Sequence, residues 1–414
     1  MRAPIQRVTD VDEPRIVGPI TASHGINEFF SIVIPPVIPL LITDLGITYG
    51  QAGFLLTIFF LMYSVFQLPA GVVADWVGKT RLMIVGLVGM TGGILLAGMA
   101  PNYEALLVAQ TITGISGSTF HPTGMSIISD VESGATEGKA MGVFGFGGTV
   151  GTMAAPLVVG GLAAVAGWRA ALVGAAVLGG GLTIFVVYAM LSANSTTPSI
   201  RADGGSTVRR RLRSIRDVAG VLMTREIGLL CLITLFLSLQ HRAIQTFTTS
   251  YIAAETGASV SISNLAFFTL LAGGSVASLW AGELADRVDR RYIGIGTAIA
   301  TGILVGATIA VTRLASAVPS SLLIAGLAIW FAAIGFAMYA SYPVKNALIS
   351  READSAYSGS LFGVVQTGSA LGSASGPAVF GVLATEWGVV AAFPAIAGVS
   401  LVLALLFGVL VLLD

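Results

Sequence analysis

The sequence predicts an all-α membrane protein of twelve transmembrane helices, arranged as two pseudo-symmetric six-helix bundles. Three observations predict it. The 414-residue chain is 55% hydrophobic and only 10% charged, with a mean hydropathy of +0.89, whereas soluble domains carry about 25% charged residues. Twelve apolar windows follow one another along the chain, each near the ~20 residues a helix needs to cross a bilayer. A set of glycines and a proline in the first half also returns in the second at a fixed spacing.

The windows, in order, are 18–43, 50–73, 82–99, 104–128, 140–165, 168–192, 226–252, 261–284, 292–312, 320–346, 356–384 and 388–412. Short polar connections join most of them. The exception is 192–224, which carries Arg201, Arg209, Arg210, Arg211, Arg213 and Arg216. This charged linker divides an amino-terminal bundle, 1–191, from a carboxy-terminal bundle, 225–414. Glycine makes up 52 of the 414 residues, which suits close helix contact in lipid. The single cysteine, Cys231, excludes a disulfide framework. A formal net charge of zero gives no support for nucleic-acid binding. Residues 1–17 are polar and lack the apolar core of a cleaved signal peptide.

Of the 21 Lys and Arg residues, all but Arg169, Arg242 and Arg313 fall on the side of the amino terminus. Basic residues concentrate in cytoplasmic loops, so both termini and the linker are expected in the cytoplasm of a cell-membrane protein.

The repeat is specific. Gly142, Gly147, Gly151, Pro156, Gly160 and Gly167 recur as Gly363, Gly368, Gly372, Pro377, Gly381 and Gly388, a constant offset of 221. Parallel six-helix halves that meet around a central site are the architecture of a rocking transporter. A second doubled element joins windows two and three, Gly71-Val-Val-Ala-Asp-Trp-Val-Gly-Lys-Thr-Arg81, and returns between windows eight and nine as Gly282-Glu-Leu-Ala-Asp-Arg-Val-Asp-Arg-Arg291. Gly71 is expected to let helices approach closely, Gly78 to permit a tight turn, and Asp75 to face Lys79 and Arg81 across it. A hairpin whose cations only obey the positive-inside rule would account for Lys79 and Arg81 alone.

These segments resemble the loop 2–3 and loop 8–9 motifs of the major facilitator superfamily, and the likeness covers nearly the whole chain. Gly151-Thr-Met-Ala-Ala-Pro156 resembles the family's fifth-helix Gly/Pro motif. Within the family the pattern is similar to fosmidomycin-resistance-type exporters, through His24-Gly-Ile-Asn-Glu28, Pro35-Pro36, Tyr49-Gly-Gln-Ala-Gly53, Gln67-Leu-Pro-Ala-Gly71 and His121-Pro122. The resemblance implies gating roles for Gly71, Asp75, Gly78, Arg81, Asp286 and Arg287. Two positions depart from the pattern: Gln110 stands where proton-coupled exporters often place an arginine, and Asp289 replaces a loop glycine.

Polar groups inside the spans carry the chemistry, because a charge at membrane depth costs about 3 kcal/mol or more. Glu28 sits some 15 Å into the first span, on one face with His24 and adjacent to Asn27. It is the candidate proton carrier; a permanent ion pair that locks helices is the alternative. Arg242 lies near the middle of the seventh span beside His241, with Gln240 and Gln245 close by. Its fork fits carboxylate, phosphate or phosphonate, so Arg242, His241, Gln245, His24, Asn27 and His121 form the candidate substrate-binding set. Arg242 could face Glu28 across a cavity, where substrate and carboxylate would compete for one guanidinium; a permanent bridge is the alternative. His121, ahead of Pro122, either lines the cavity or fills the space a bent helix leaves. Lys345 is expected to snorkel toward the interface.

No H-E-x-x-H, paired cysteines, G-x-S-x-G or nucleotide-binding loop occurs, so neither an enzyme, a metal site nor a cofactor is expected. The expectation is a monomeric secondary transporter of a small organic, anionic compound, working by alternating access as a proton-coupled exporter, with lipid and protons as its other partners. An organic-anion importer on the same fold and a non-transporting receptor or scaffold are the alternatives.

Overall fold

The computed structural model describes residues 11–194, 224–285, 287–315, 319–352 and 358–413. The predicted linker falls outside these except at its ends, and so does Asp286. Among the described residues every regular element is helical: α1 (Pro14–Ser31), a 3-10 turn (Pro35–Val37), α2 (Ile38–Leu45), α3 (Tyr49–Val77), α4 (Lys79–Gly98), α5 (Tyr103–Gly117), α6 (Phe120–Val131), α7 (Ala135–Asn194), α8 (Arg225–Thr256), α9 (Val260–Ala285), α10 (Arg290–Ala315), α11 (Ser320–Tyr339), α12 (Ser341–Glu352), α13 (Ser358–Trp387) and α14 (Val389–Leu412). Nine helical stretches among the described residues are long and apolar enough to cross a membrane. One of these, Thr136–Ser192, carries two predicted windows, separated at Gly167 where φ is 79° and the helix breaks. The fourth window is divided between α5 and α6, with 15 and 12 residues.

The chain separates into two compact units. One holds Met1–Ile34 and Ile58–Val208, the other Pro35–Thr57 and Arg209–Asp414. Pro35–Thr57 belongs with the second unit for a visible reason. The Pro35 carbonyl accepts from Thr249 Oγ1 at 2.6 Å and the Pro36 carbonyl from Asn264 Nδ2 at 3.1 Å, while the Gly50 amide donates to Thr385 Oγ1 at 2.8 Å.

Within each unit, the repeated glycines hold the same pair of helices together. In the first, α1 lies along α7, and a Cβ on Gly151 would fall 2.0 Å from the Gly25 carbonyl oxygen. In the second, α8 lies along α13, and a Cβ on Gly372 would fall 2.1 Å from the Leu235 carbonyl oxygen. No side chain fits there, which is why small residues recur at membrane helix contacts. Gly167 and Gly388 match as well: both have left-handed φ, 79° and 86°, which only glycine adopts freely.

The breaks in the fourth and tenth windows are also paired. Proline cannot donate to the carbonyl four residues earlier. Pro122 thereby opens the helix near Ser118 and Thr119, and Pro343 near Tyr339 and Ala340. Large apolar side chains such as Val165, Ile184, Ile329 and Leu405 stand exposed on the outer helix faces. Such a surface suits lipid rather than water.

Candidate functional site

In the first unit, α1 sets His24 and Glu28 one turn apart, and the Pro122 break starts α6 with His121 beside them. Glu28 Oε1 lies 3.7 Å from His24 Nε2 and 3.8 Å from His121 Nε2. His24 is closely packed. Its ring stacks on Phe144 at 4.0 Å and on Phe120 at 5.4 Å, and Gly148 leaves room for it, since a Cβ there would meet the ring at 2.5 Å. Its Nδ1 is 2.8 Å from the Phe144 carbonyl oxygen. A carbonyl only accepts, so Nδ1 carries the proton and Nε2 turns toward Glu28. Asn27, by contrast, is fully buried. Its amide donates to the Gly117 carbonyl at 3.3 Å and to Met90 Sδ at 3.2 Å, and its oxygen accepts from Tyr63 Oη at 3.3 Å. Asn27 therefore ties α1 to its neighbours.

The second unit brings Arg242, Gln245 and His241 together on α8. Arg242 Nη1 donates to Gln245 Oε1 at 2.8 Å, and Gln245 Nε2 donates to Tyr339 Oη at 2.6 Å. His241 packs edge-on against Tyr339 and Tyr342, at 4.3 and 4.6 Å between ring centres. It is 3% exposed, and neither ring nitrogen finds a hydrogen-bond partner among the described residues. Buried polar groups are normally satisfied, and His241 is an exception among the described residues. Lys345 corrects an expectation. It does not snorkel; it is 4% exposed, and its Nζ sits 4.8 Å above the Tyr342 ring, a cation–π contact. Tyr342 was not singled out from the sequence. The repeat could have found Tyr342, because Tyr342-Pro343 stands 221 residues after His121-Pro122.

The hairpin at Gly71–Arg81 differs from expectation in two respects. Gly78 is the predicted turn, with φ of 94°. Its left-handed backbone breaks the helix between Asp75 and Lys79, and Lys79 pairs with Asp130 at the end of α6 rather than facing Asp75 across the turn. Gly71 is not a close-contact position: a Cβ there would meet only Pro122 Cβ, at an ordinary 3.8 Å. Asp75 is half-buried, and Arg81 and Arg287 are exposed.

Glu132 was also unanticipated. Only 3% exposed, it accepts from the backbone N–H groups of Glu13 at 2.8 Å and Asp12 at 3.0 Å, and so caps the start of α1 from a distant loop. Burial works to raise its carboxyl. The donated hydrogen bonds from Glu13, Asp12 and Thr136 outweigh burial and leave the pKa below its ordinary 4.5.

Two helical units, each built on a glycine-packed helix pair and each carrying ionisable groups inside its spans, define a multi-span membrane transport protein. The sequence profile of the Major Facilitator Superfamily matches residues 20–240 and 230–414, and the chain belongs to that family. It is 24% identical over 282 residues to the fosmidomycin resistance protein of Escherichia coli strain K12, covering 67% of this chain and 66% of that protein, slightly under two thirds of it. It is 26% identical over 385 residues to the multidrug resistance protein MdtG of Citrobacter koseri, covering 90% and 88% of the two chains. Among solved structures, a bacterial homolog of the human lysosomal transporter Spinster, inward-facing and unoccupied, superposes with a TM-score of 0.78 at 16% identity, over 95% of this chain and 96% of that one. A variant of the nucleoside transporter NupG gives 0.75 at 14% identity, over 94% and 99%. The fold and these relatives are those of transporters, not enzymes.

Proposed function

We propose that the protein is a twelve-span, monomeric secondary transporter of the cell membrane, with both termini cytoplasmic, that exports a small organic anion by alternating access in exchange for protons. The observation that carries this reading is the arrangement around α8. Arg242 is steered by Gln245 and Tyr339, Lys345 is buried nearby, and His241 keeps two unpartnered nitrogens. A guanidinium, an ammonium and an imidazole converging on one buried region suit a carboxylate, phosphate or phosphonate head, with the tyrosine rings left for an apolar body. Glu28 is the proposed proton carrier, lying 3.7 and 3.8 Å from the Nε2 atoms of His24 and His121. The two hairpins, with Gly71, Asp75, Gly78 and Arg81 in the first and Asp286 and Arg287 in the second, are the proposed gate. Likeness to the fosmidomycin resistance protein and MdtG supports outward transport.

The test is accumulation of labelled fosmidomycin in cells that express the protein, compared with cells carrying an empty vector. Lower accumulation that a protonophore abolishes, and that Glu28→Gln loses, is the expected result. Higher accumulation would make the protein an anion importer. Normal transport by folded, membrane-inserted Arg242→Ala and Glu28→Gln proteins would sink both site assignments.

A further inference from the structure

We propose that His24, Glu28 and His121 form a binding site for one divalent transition-metal ion of the zinc class. Their donor atoms all lie within 4.8 Å of one another. In a tetrahedral site with bonds of about 2.05 Å, neighbouring donors stand roughly 3.3 Å apart. The two Glu28 contacts, 3.7 and 3.8 Å, are a few tenths of an ångström longer. His121, with the most exposed of the three side chains at 30%, has room to close the remainder.

The donor set selects the ion. Two imidazoles and a carboxylate suit Zn²⁺, Co²⁺ or Ni²⁺, whereas Ca²⁺ and Mg²⁺ favour all-oxygen shells. Three protein ligands leave a fourth position for water, so the ion would exchange rather than act as a permanent strut. The supporting shell is already present. His24 donates Nδ1–H to the Phe144 carbonyl and stacks closely on the Phe144 ring, which fixes its orientation and directs the Nε2 lone pair at the site. No sequence motif announces the site, because its ligands come from helices far apart in the chain. The proposal is independent of the substrate or direction of transport, because binding is read directly.

The experiment is titration of Co²⁺ alone into the purified, tag-free full chain in detergent micelles, followed by its d–d absorption and then displaced with Zn²⁺. One equivalent with the strong bands of a four-coordinate ion is expected. His121→Gln and His24→Ala should each weaken binding at least about tenfold, since even loss of an outer-shell partner costs 10–100-fold. Glu28→Gln should weaken it too, while His241→Gln, which changes the remaining histidine, should not. Size-exclusion profiles establish that each variant is folded, and His121→Gln serves if His24→Ala does not fold, because His121 is less tightly packed. Absence of saturable binding to the folded wild type would overturn the proposal. So would binding that survives His121→Gln or is lost in His241→Gln.

Discussion

The two units repeat a backbone but not a charge. Each places a histidine four residues ahead of a Glu or Gln in its leading helix, His24 and Glu28 on α1, His241 and Gln245 on α8. Each opens a later helix with a ring followed by proline, His121-Pro122 and Tyr342-Pro343. The first unit fills this frame with a carboxylate between two imidazoles, the second with Arg242, an amide, two phenols and Lys345. Glycine packing and proline breaks therefore set where polar groups can sit. On the proposed reading, a handful of substitutions in that frame decides whether a unit attracts cations or anions.

The comparison breaks most severely at Arg242. Arg242→Ala removes the fork from the proposed anion-binding unit, and substrate affinity should fall by about 2–5 kcal/mol; labelled-substrate binding to purified protein checks this. Arg242→Lys should recover only part of the loss, because an ammonium cannot reproduce the planar fork. Gln245→Glu makes the second unit imitate the first. The new carboxylate would hold the guanidinium and weaken anion binding by roughly 1–3 kcal/mol, again read by direct binding; unchanged affinity would mean that Gln245 does not steer Arg242.

Glycine substitutions probe the shared frame. Gly151→Ala and Gly372→Ala each press a methyl into a backbone carbonyl and should cost about 1–3 kcal/mol, seen as lower thermal unfolding temperatures in detergent. Equal losses would confirm that the two contacts are equivalent. Gly71→Ala, with open space and a better helix former, should be neutral or stabilising by up to about 1 kcal/mol. The smallest expected loss is at Glu132, where the second unit offers no described counterpart. Glu132→Gln should cost about 0.5–2 kcal/mol, the range for losing a helix cap. Because the folded-state pKa lies below 4.5, the ionised form stabilises the protein above that pH, and this contribution disappears as pH falls through the folded-state value. Wild type and variant should thus differ near neutrality and converge in acid, a pattern that unfolding followed across pH tests.

The frame was largely legible in the sequence. Hydropathy located the helices, and the 221-residue offset marked Gly151, Gly372, Gly167 and Gly388, whose close contacts and left-handed backbones now explain the recurrence. Candidate charges were legible too, since Glu28 and Arg242 interrupt apolar runs. Roles that depend on pairing between helices were not. Periodicity put Asn27 near the face of Glu28 but could not show that Gly117, Met90 and Tyr63 use up its amide. The turn at Gly78 was expected to set Asp75 against Lys79 and Arg81, yet Lys79 pairs with Asp130, a residue 51 positions further along the chain. Lys345 looked like an interfacial residue because its tyrosine platform is formed only when Pro343 turns the chain.

Glu132 bears on the order in which the first unit can be made. The amides of Asp12 and Glu13, which lead into α1, meet their acceptor only after more than a hundred further residues have left the ribosome. The helix carrying His24 and Glu28 also lacks its α7 partner, with Gly147 and Gly151, until then. The first span thus enters the bilayer with its amino end uncapped and its packing face open, and it reaches its final seat only when later spans close over it. Early steps in the biogenesis of this unit are correspondingly provisional, and its leading helix is not locked until α7 is made.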